Sequence, residues 1–417
     1  MQTWVREEIE SSMISCLWAG KPRNLTDAME RELDMKEELL RLVAQHGTPL
    51  FVLDHNKIRE NYRTFKKHLP RVQCYYAVKA NPIQQIIETL FNEGSSFDVA
   101  SYNEFMQVYQ YIRHFERKQK KYFVWDKIIF SNTIKERTAL IKTKQYKPLV
   151  TYDNAAELAK IKQHCDTAGL VLRVKVPDTG SQVEMSSKFG AEPGDAQGLI
   201  RQAFDIGLKV EGISFHVGSQ CTNFDNYTAA LAITSEIFHE ARRKGFGLNL
   251  LDIGGGFPVP YDSQVPQFEK LAHILNYEFE RLFPNDIEIL AEPGRFIVAT
   301  AATLVSEIIG KARREGKMFY HINDGVYHTF SGVVYDHWIP NFSAFKEGDL
   351  EICAVVGPTC DSFDKIILAV ELPGNLEVGD YLYTENIGAY STASTTKFNG
   401  FDGARIVHTN LITSSLT

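Results

Sequence analysis

Eight apolar, β-rich runs alternate with helical stretches over the first two thirds of this 417-residue chain. The runs cover residues 74–79, 96–100, 128–131, 149–152, 170–176, 210–217, 248–253 and 287–291. Helical stretches such as 154–168, 195–206 and 227–244 lie between them. Parallel strands need a crossover helix between neighbours, so the alternation predicts an α/β protein with a closed (β/α)8, TIM-like barrel. Such barrels place their chemistry at the carboxyl ends of the strands.

The chain divides into three regions by the type of pattern. Residues 1–46 predict a helical amino-terminal extension, because apolar residues recur at helical spacing between Ala28 and Val43. Residues 47–297 hold the barrel. Residues 298–417 predict a carboxy-terminal β-rich domain, since strand-like runs follow one another there without long helices. Because the barrel needs only eight strands, the strand-like run at 50–54 could belong to either domain.

One charged stretch interrupts the alternation between the second and third runs. Residues 112–127 carry Arg113, Arg117, Lys118 and further lysines. A cluster of like charges is typical of a solvated segment, so we expect an inserted basic loop here. The alternative is a docking surface for an acidic partner.

Charge and cysteine content exclude several classes of protein. The formal net charge is −7, so no overall basic field indicates nucleic-acid binding. No apolar stretch approaches the roughly 20 residues that a transmembrane helix needs, which predicts no membrane span. The six cysteines have neither metal-ligand nor paired redox spacing. We therefore expect reduced thiols, no metal site and a cytoplasmic protein.

The first barrel run ends in Lys79, at the face where such barrels place their chemistry. A lysine at a strand end is partly desolvated, and desolvation favours the neutral amine, which is a nucleophile toward carbonyls. For this residue taken alone, the alternative is a lysine that simply extends its charged end into solvent.

Glycine-rich turns follow the seventh and eighth runs. The residues in these turns that suit an anion are Gly254, Gly255, Gly256, Gly294 and Arg295. A glycine backbone approaches an anion closely and directs N–H groups at it. In barrels of this type the loops after strands seven and eight form the common phosphate site. The two turns together therefore predict a phosphate site, which one glycine turn alone would not.

Further polar side chains lie in or directly after the other runs: Asp98, Arg173, His216, Ser219 and Glu292. A lone histidine would be a core residue by default. Here a lysine, a phosphate site, a flat ring at His216 and a buried carboxylate at Glu292 together fit pyridoxal 5'-phosphate, with Lys79 forming the Schiff base. Glu292 would keep the pyridine nitrogen protonated, which makes the ring an electron sink suited to decarboxylation more than to racemisation.

The β-rich region supplies groups for a substrate. Cys360 lies beside Asp361 after a glycine–proline turn, so its thiol is either a small buried apolar group or a proton donor to a carbanion. Asp336 and Asp361 together would bind a cationic substrate tail, whereas either alone would be a solvated loop carboxylate. Tyr390 offers a hydroxyl group to the phosphate.

In combination, these motifs resemble the eukaryotic-type ornithine decarboxylases, which belong to the alanine-racemase-like, fold-type III pyridoxal-phosphate enzymes. The resemblance covers residues 47–405 and is carried by YAVKAN (76–81), FDVAS (97–101), SFHVGS (214–219), DIGGGFP (252–258), AEPGR (291–295), YDH (335–337), GPTCD (357–361), ENIGAY (385–390) and FNGF (398–401). It implies a cofactor-binding barrel followed by a β-rich domain.

The resemblance also implies a role for each matching residue. Lys79 carries the cofactor, His216 stacks on its ring and Glu292 holds the pyridine nitrogen. Asp98 lies near the lysine, and Arg173 lies near the ring hydroxyl. The cofactor-binding set is completed by Ser219, Gly254, Gly255, Gly256, Gly294, Arg295 and Tyr390. The residues assigned to the substrate are Tyr335, Asp336, Asp361 and Phe398.

The implied reaction is the decarboxylation of L-ornithine to putrescine and carbon dioxide in polyamine biosynthesis, with Cys360 protonating the α-carbon. Cys360 and Asp361 would act in the neighbouring subunit's site, which implies a homodimer. Lysine, or lysine and ornithine together, is the alternative substrate. Residues 47–52 look more like a diaminopimelate decarboxylase, but Cys360-Asp361-Ser362 sides with ornithine and lysine. A non-catalytic regulatory relative is disfavoured, because no cofactor residue is lost.

Overall fold

The structure is a computed structural model that describes residues 23–412. The first part of the predicted extension, residues 1–22, and the last residues, 413–417, lie outside the described part of the chain. Between residues 23 and 412, no helix is both long enough and apolar enough to cross a membrane.

Helix α1 (Arg23–His46) and strand β1 (Leu50–Asp54) open the described chain. Leu39, Leu42 and Val43 of α1 share one buried cluster with β1 and with Tyr383 of the second domain. The extension is therefore helical where it is described, and it packs on the β-rich domain.

Within the described residues, eight parallel strands close into a barrel, and the predicted TIM-like barrel is confirmed. These strands are β2 (Val72–Ala77), β3 (Ser96–Val99), β4 (Ile128–Phe130), β5 (Leu149–Tyr152), β6 (Gly169–Arg173), β8 (Lys209–Ser214), β10 (Leu250–Asp252) and β11 (Glu288–Ala291). The barrel closes where Ala291 of β11 pairs with Cys74 of β2. A short antiparallel ribbon, β7 (Ser181–Val183) with β9 (Ser219–Cys221), lies outside it.

Helices connect the barrel strands. They are α2 (His55–His68), α3 (Gln84–Asn92), α4 (Tyr102–Tyr109), α5 (Arg117–Lys127), α6 (Arg137–Thr143), α7 (Ala155–His164), α8 (Ala196–Asp205), α9 (Asp225–Arg243), α10 (Phe268–Leu282) and the short α11 (Arg295–Val298). Side-chain caps fix several starts, because Ser101 and Asn154 accept hydrogen bonds from backbone amides in the first turns of α4 and α7.

The prediction of a basic loop at residues 112–127 is wrong, because helix α5 occupies most of this stretch. Gln119 and Glu116 form a capping box at its start, and the Glu116 amide donates to Gln119 Oε1 at 2.9 Å. Val124 is buried, and the Phe123 ring lies 5.7 Å from the Phe91 ring. The stretch therefore buries one apolar side against the barrel while Arg117 and Lys118 stay exposed.

The second domain is a β-sheet, as predicted. Its strands and one short helix are β12 (Ala302–Arg314), β13 (Lys317–Ile322), α12 (Gly332–Tyr335), β14 (Ser343–Ala344), β15 (Leu350–Val356), β16 (Lys365–Pro373), β17 (Tyr381–Thr384) and β18 (Arg405–Thr409). Leu50 of β1 pairs with Val305 of β12 and with Arg405 of β18. The run at 50–54 thus lies in this sheet, between strands from the far end of the chain.

The barrel interior is built in layers. One buried apolar cluster contains Tyr75, Ile129, Leu149, Val171, Leu250 and Leu290, each from a different barrel strand. Side chains in a strand alternate between faces, so the residue two positions later faces the same interior, nearer the carboxyl ends. Those later positions are mostly polar: Ala77, Asp98, Ser131, Thr151, Arg173, Ser214, Asp252 and Glu292. An apolar plug therefore supports a polar layer at the end of the barrel where the chemistry is expected.

Candidate active site

The polar layer contains more acids than bases. Asp98, Asp252 and Glu292 are buried, whereas Arg173 and the neighbouring Lys79 are the cations close to them. Buried carboxylates that lack a matching cation favour their protonated forms. The site therefore has an unmet preference for positive charge.

Lys79 lies just beyond strand β2. The strand ends at Ala77, two residues earlier than the predicted run, and Lys79 occupies a tight turn, Val78–Ala80. The Asn81 side chain fixes this turn to the second domain by donating to the Gly388 carbonyl at 2.8 Å. The Lys79 ammonium donates to the fully buried Asp98 carboxylate.

The expectation of a neutral Lys79 amine is wrong for this structure. Burial alone would lower the pKa of Lys79, but the nearby carboxylates of Asp98 and Glu292 outweigh burial and raise it. The pairing with Asp98 could not be read from the strand pattern, because it depends on how β2 and β3 align. Ala77 and Asp98 are neighbours in that register.

His216 is held as a neutral ring. The Gly218 amide donates to its Nδ1 at 3.1 Å, so Nε2 carries the ring proton. Burial, together with the charges of Arg173 and Lys79, lowers the pKa of His216 well below its usual value. A Cβ atom at Gly255 would lie 2.9 Å from His216 Nε2, so only glycine leaves the ring this close to the backbone.

Glu292 follows β11 and is the least satisfied of the three acids. Its Oε1 is buried and has no hydrogen-bond partner among the described residues. Burial and the neighbouring Asp252 and Asp98 raise the pKa of Glu292 well above its usual value. Burial also raises the pKa of Asp252 to about 6, although the Gly254 amide donates to Asp252 Oδ1 at 2.9 Å. A cation next to Glu292 would be stabilised strongly.

The glycine turns lie against each other with little spare room. Gly254 and Gly256 have φ values of +62° and +98°, which favour glycine. A Cβ at Gly256 would lie 2.5 Å from the Gly218 carbonyl oxygen, and one at Gly294 would lie 2.8 Å from Ala80 Cβ. These turns therefore expose backbone rather than side chains to the space between them.

Arg295 supplies the positive charge beside the glycine turns. It is 5% exposed, and it donates to Ser219 Oγ at 2.9 Å and to the Tyr261 hydroxyl at 3.0 Å. Its guanidinium pairs with Asp336, and its Cζ lies 4.9 Å from the centre of the Tyr390 ring. Its Nε is buried without a partner among the described residues, so this N–H group is free to donate to an anion.

One cavity collects these groups. It is lined by Ala77, Lys79, Met185, His216, Ser219, Gln220, Gly255, Gly256, Phe257, Glu292, Gly294, Arg295 and Tyr390. Asp98 contacts the cavity through Lys79. Arg173 ends strand β6, and its Cζ lies 5.0 Å from the Phe189 ring centre.

Sequence reasoning missed some of the residues at this cavity. Met185, Gln220 and Phe257 line it, and Tyr261 holds Arg295. Gln220 directly follows the motif that ends at Ser219, and Phe257 belongs to the motif that contains Gly256, so sequence proximity could have suggested both. Met185 enters from the loop after β7, and no sequence pattern indicated that approach.

The residues assigned to the substrate are divided between two places. Asp336 lies beside Arg295 at the cavity. The exposed Cys360 lies outside the cavity, and its amide donates to Asn399 Oδ1 at 3.0 Å. Asp361 accepts a hydrogen bond from the Tyr327 hydroxyl, which lowers the pKa of Asp361.

Phe398 stacks on Tyr327 at 4.4 Å, and Tyr335 is 69% exposed. Within one chain, Cys360, Asp361, Tyr335 and Phe398 therefore do not line the cavity that holds Lys79.

The comparison with known proteins decides the family. The family described as pyridoxal-dependent decarboxylase, pyridoxal binding domain, matches residues 55–299. A lysine/ornithine decarboxylase from Selenomonas ruminantium is 34% identical over 369 residues, which is 88% of this chain and 91% of that protein. The chain belongs to the pyridoxal-dependent decarboxylases. The predicted family, enzyme class and pyridoxal phosphate cofactor are thereby confirmed.

Two further proteins similar to this chain are informative. Antizyme inhibitor 2 of Xenopus laevis is 35% identical over 389 residues, which is 88% of this chain and 83% of that protein. A crystal structure of lysine/ornithine decarboxylase from Vibrio vulnificus, complexed with putrescine, has a TM-score of 0.82 and 34% sequence identity. It covers 90% of this chain and 98% of that one.

The cavity of this decarboxylase fits pyridoxal phosphate. The cofactor brings a ring nitrogen that can be cationic, and Glu292 Oε1 is a buried acceptor with no partner among the described residues. The cofactor also brings a phosphate anion. Arg295 Nε is a buried donor that likewise has no partner among the described residues, and it lies beside glycine turns with no room for side chains. Both unsatisfied atoms therefore match charges that the cofactor carries.

Proposed function

We propose that this chain decarboxylates L-ornithine to putrescine and carbon dioxide with pyridoxal phosphate attached at Lys79. The observation that carries the proposal is the polar layer of the barrel. There the Lys79 ammonium and the Glu292 carboxyl, whose Oε1 has no hydrogen-bond partner among the described residues, line one cavity. When bound, pyridoxal phosphate supplies the electron sink that stabilises the charge left at the α-carbon as carbon dioxide departs.

The contacts within the cavity support a cofactor role for each of three residues. Lys79 supplies the amine that anchors the cofactor, and Asp98 holds a proton at its Nζ. The neutral His216 ring provides a flat stacking face beside Gly255. Glu292 would hold a proton at the pyridine nitrogen of the bound cofactor and so would keep the ring electron-poor.

The phosphate site consists of the two glycine turns with their neighbours: Ser219, Gly254, Gly255, Gly256, Gly294, Arg295 and Tyr390. Arg173, at the end of β6, is assigned to the ring hydroxyl on the resemblance to the family.

The substrate groups need a second copy of the chain. Cys360 is exposed, and Asp361 lies beside it on the surface of the second domain. We assign Cys360 as the donor that returns a proton to the α-carbon. Asp361 and Asp336 bind the distal ammonium, with Tyr335 and Phe398 beside them. A homodimer that brings the partner subunit's Cys360 to this cavity would complete the site. We expect the protein to be located in the cytoplasm.

Complementation would test the shared site. Lys79→Ala and Cys360→Ala variants should each lose activity, and mixed dimers should regain part of it because one of their two sites is intact. If mixing restores nothing while mixed dimers form, the two residues act within one chain.

The substrate is the second point to test. Ornithine and lysine differ by one methylene, which is worth about 1–3 kcal/mol in a pocket. The names of the relatives from Selenomonas ruminantium and Vibrio vulnificus support a chain that accepts both amino acids. Carbon dioxide release should be measured with L-ornithine, L-lysine, L-arginine and diaminopimelate, and preference for diaminopimelate would overturn the role of Asp361.

A non-catalytic function is the alternative class, because one relative is named as an antizyme inhibitor. The purified protein should be yellow, and Lys79→Ala should be colourless. A wild-type protein that stays colourless after incubation with pyridoxal phosphate would overturn the decarboxylase proposal.

A further inference from the structure

The loop after strand β4 contacts the centre of the site, although none of its residues lines the cavity. The Ser131 hydroxyl donates to Asp98 Oδ1, while the Lys79 ammonium donates to Asp98 Oδ2. Asp98 is 0% exposed, so water does not reach its carboxylate. Each oxygen of this buried carboxylate therefore has one side-chain donor, and the two donors lie just after different barrel strands, β2 and β4.

The loop that carries Ser131 is fixed by a buried ammonium. The side chain of Lys135 is 0% exposed, and its Nζ donates to the carbonyl of Asn132 at 2.9 Å, to that of Thr133 at 3.3 Å and to that of Thr151. The same Nζ pairs with Glu157 at 3.1 Å. The ammonium therefore ties the turn directly after Ser131 to strand β5 and helix α7.

The two side chains that donate to Asp98 differ in whether they keep donating during the reaction. Lys79 can lose its proton, and it must release the cofactor when a substrate amine takes its place. Ser131 has no charge to lose, and its loop is anchored independently of the cofactor. Whenever Lys79 is neutral or turned away, Ser131 is the side chain that still donates to Asp98.

We propose that Ser131 is a positioning residue that keeps the Asp98 carboxylate hydrogen-bonded while Lys79 gives up its proton and its hold on the cofactor. The proposal rests on the proposed function, because it concerns the lysine that anchors the cofactor. Without the hydroxyl, deprotonation of Lys79 would leave a buried carboxylate without a side-chain donor, which is costly. Lys79 would then keep its proton to higher pH.

Ser131→Ala tests this directly. The readout is the pH titration of the visible absorbance of the pyridoxal phosphate-loaded protein, which follows the proton at the Lys79 linkage. The midpoint should rise by about one pH unit, a tenfold change in proton affinity. Ser131→Thr retains a hydroxyl group and should return the midpoint close to that of the wild type.

A matched control is Ser95→Ala. Ser95 is a buried serine of the same barrel, and its hydroxyl donates to the carbonyls of Cys74 and Ser96. This variant loses a buried hydroxyl without touching Asp98, so its midpoint should not move. A midpoint of Ser131→Ala that is unchanged or lower, in a protein that melts like the wild type, would overturn the proposal.

A second readout separates this inference from the proposed function. In cofactor-free protein, the rate at which an amine-directed reagent modifies Lys79 can be followed against pH by peptide mass analysis. Ser131→Ala should shift that profile to higher pH, and an unshifted profile overturns the role of Ser131. Failure of the wild type to bind pyridoxal phosphate would instead overturn the proposed function, while the reagent profile would still test Ser131.

Discussion

Replacing Glu292 by glutamine should affect the cofactor-free protein and the loaded protein in opposite ways. The change keeps the shape of the side chain and removes its ability to carry a negative charge. In the cofactor-free protein, burial and neighbouring acids raise the pKa of Glu292, so the native state already prefers the neutral form. Glutamine supplies such a neutral form at every pH.

The sign of the stability effect follows from proton linkage. A carboxyl group whose pKa is higher in the folded than in the unfolded state stabilises the protein less as the pH rises from about 4.3 toward the folded value. Glu292 has this raised pKa, so wild-type protein carries a penalty near neutral pH that Glu292→Gln removes. The cofactor-free variant should therefore melt at the same temperature as the wild type or higher.

Cofactor binding should change in the other direction. A hydrogen bond between a charged and a polar or charged group is worth about 1.5–3 kcal/mol. If Glu292 faces the ring nitrogen as we propose, losing its charge should weaken pyridoxal phosphate binding by about 10- to 150-fold. The assay is a titration of cofactor-free protein with pyridoxal phosphate, followed by absorbance, beside thermal unfolding without cofactor.

Glu157→Gln provides the contrast. Glu157 is also a buried acid, but it is paired with Lys135 at 3.1 Å and with Lys160 at 2.6 Å. Removing its charge leaves a buried ammonium unpaired and should cost about 3–5 kcal/mol of stability. If cofactor-free Glu292→Gln lost stability as Glu157→Gln does, or bound cofactor like the wild type, our account of the polar layer would be refuted.

Three further changes have defined outcomes. Gly255→Ala would place a Cβ 2.9 Å from both the Glu292 carbonyl oxygen and His216 Nε2, so retention of pyridoxal phosphate should fall; Gly198→Ala, in an open position of helix α8, should retain it. Lys135→Met should lower the unfolding free energy by about 3–5 kcal/mol, and the double variant with Glu157→Gln should lose less than the sum of the singles. His55 Nε2 is hydrogen-bonded to His408 Nδ1 at 2.9 Å, and burial, together with His408, lowers the pKa of His55 to about 4. The unfolding free energy measured in urea should therefore fall as the pH is lowered from about 6.5 to about 4. In His55→Gln that decline should be shallower, and an equally steep one would contradict the assignment.

The barrel and most of its site were predictable because both follow from short-range patterns. Alternation of apolar runs and helices specifies the topology, and the rule that chemistry follows strand ends led to Lys79, Glu292 and the glycine turns. The basic stretch was misread because its charge obscured an apolar stripe at Phe123 and Val124. The place of the run at 50–54 depends on pairing with a strand more than 350 positions away, which no local pattern encodes.

Protonation states were the least predictable property, because they depend on neighbours across the barrel. A lysine at a strand end suggested a neutral amine, yet the register of β2 and β3 places it beside Asp98 and reverses the result. Ser131 shows the same limitation. It directly follows a strand end, but its proposed role depends on its hydrogen bond to the Asp98 carboxylate, which the adjacent strand places beside it.

The polar layer also explains why binding and stability should be coupled here. Its acids outnumber its nearby bases, and Glu292 Oε1 and Arg295 Nε have no partners among the described residues. A ligand that brings a cationic ring nitrogen and a phosphate satisfies both groups in the native state only, because the unfolded chain does not hold them together. The free energy of those contacts therefore adds to folding stability as RT ln(1 + [L]/Kd). On this view the unsatisfied atoms of Arg295 and Glu292 lower the stability of the cofactor-free protein, and contacts with the cofactor restore it. The Asp98 carboxylate does not depend on the cofactor in this way, because Ser131 already supplies a donor from within the protein.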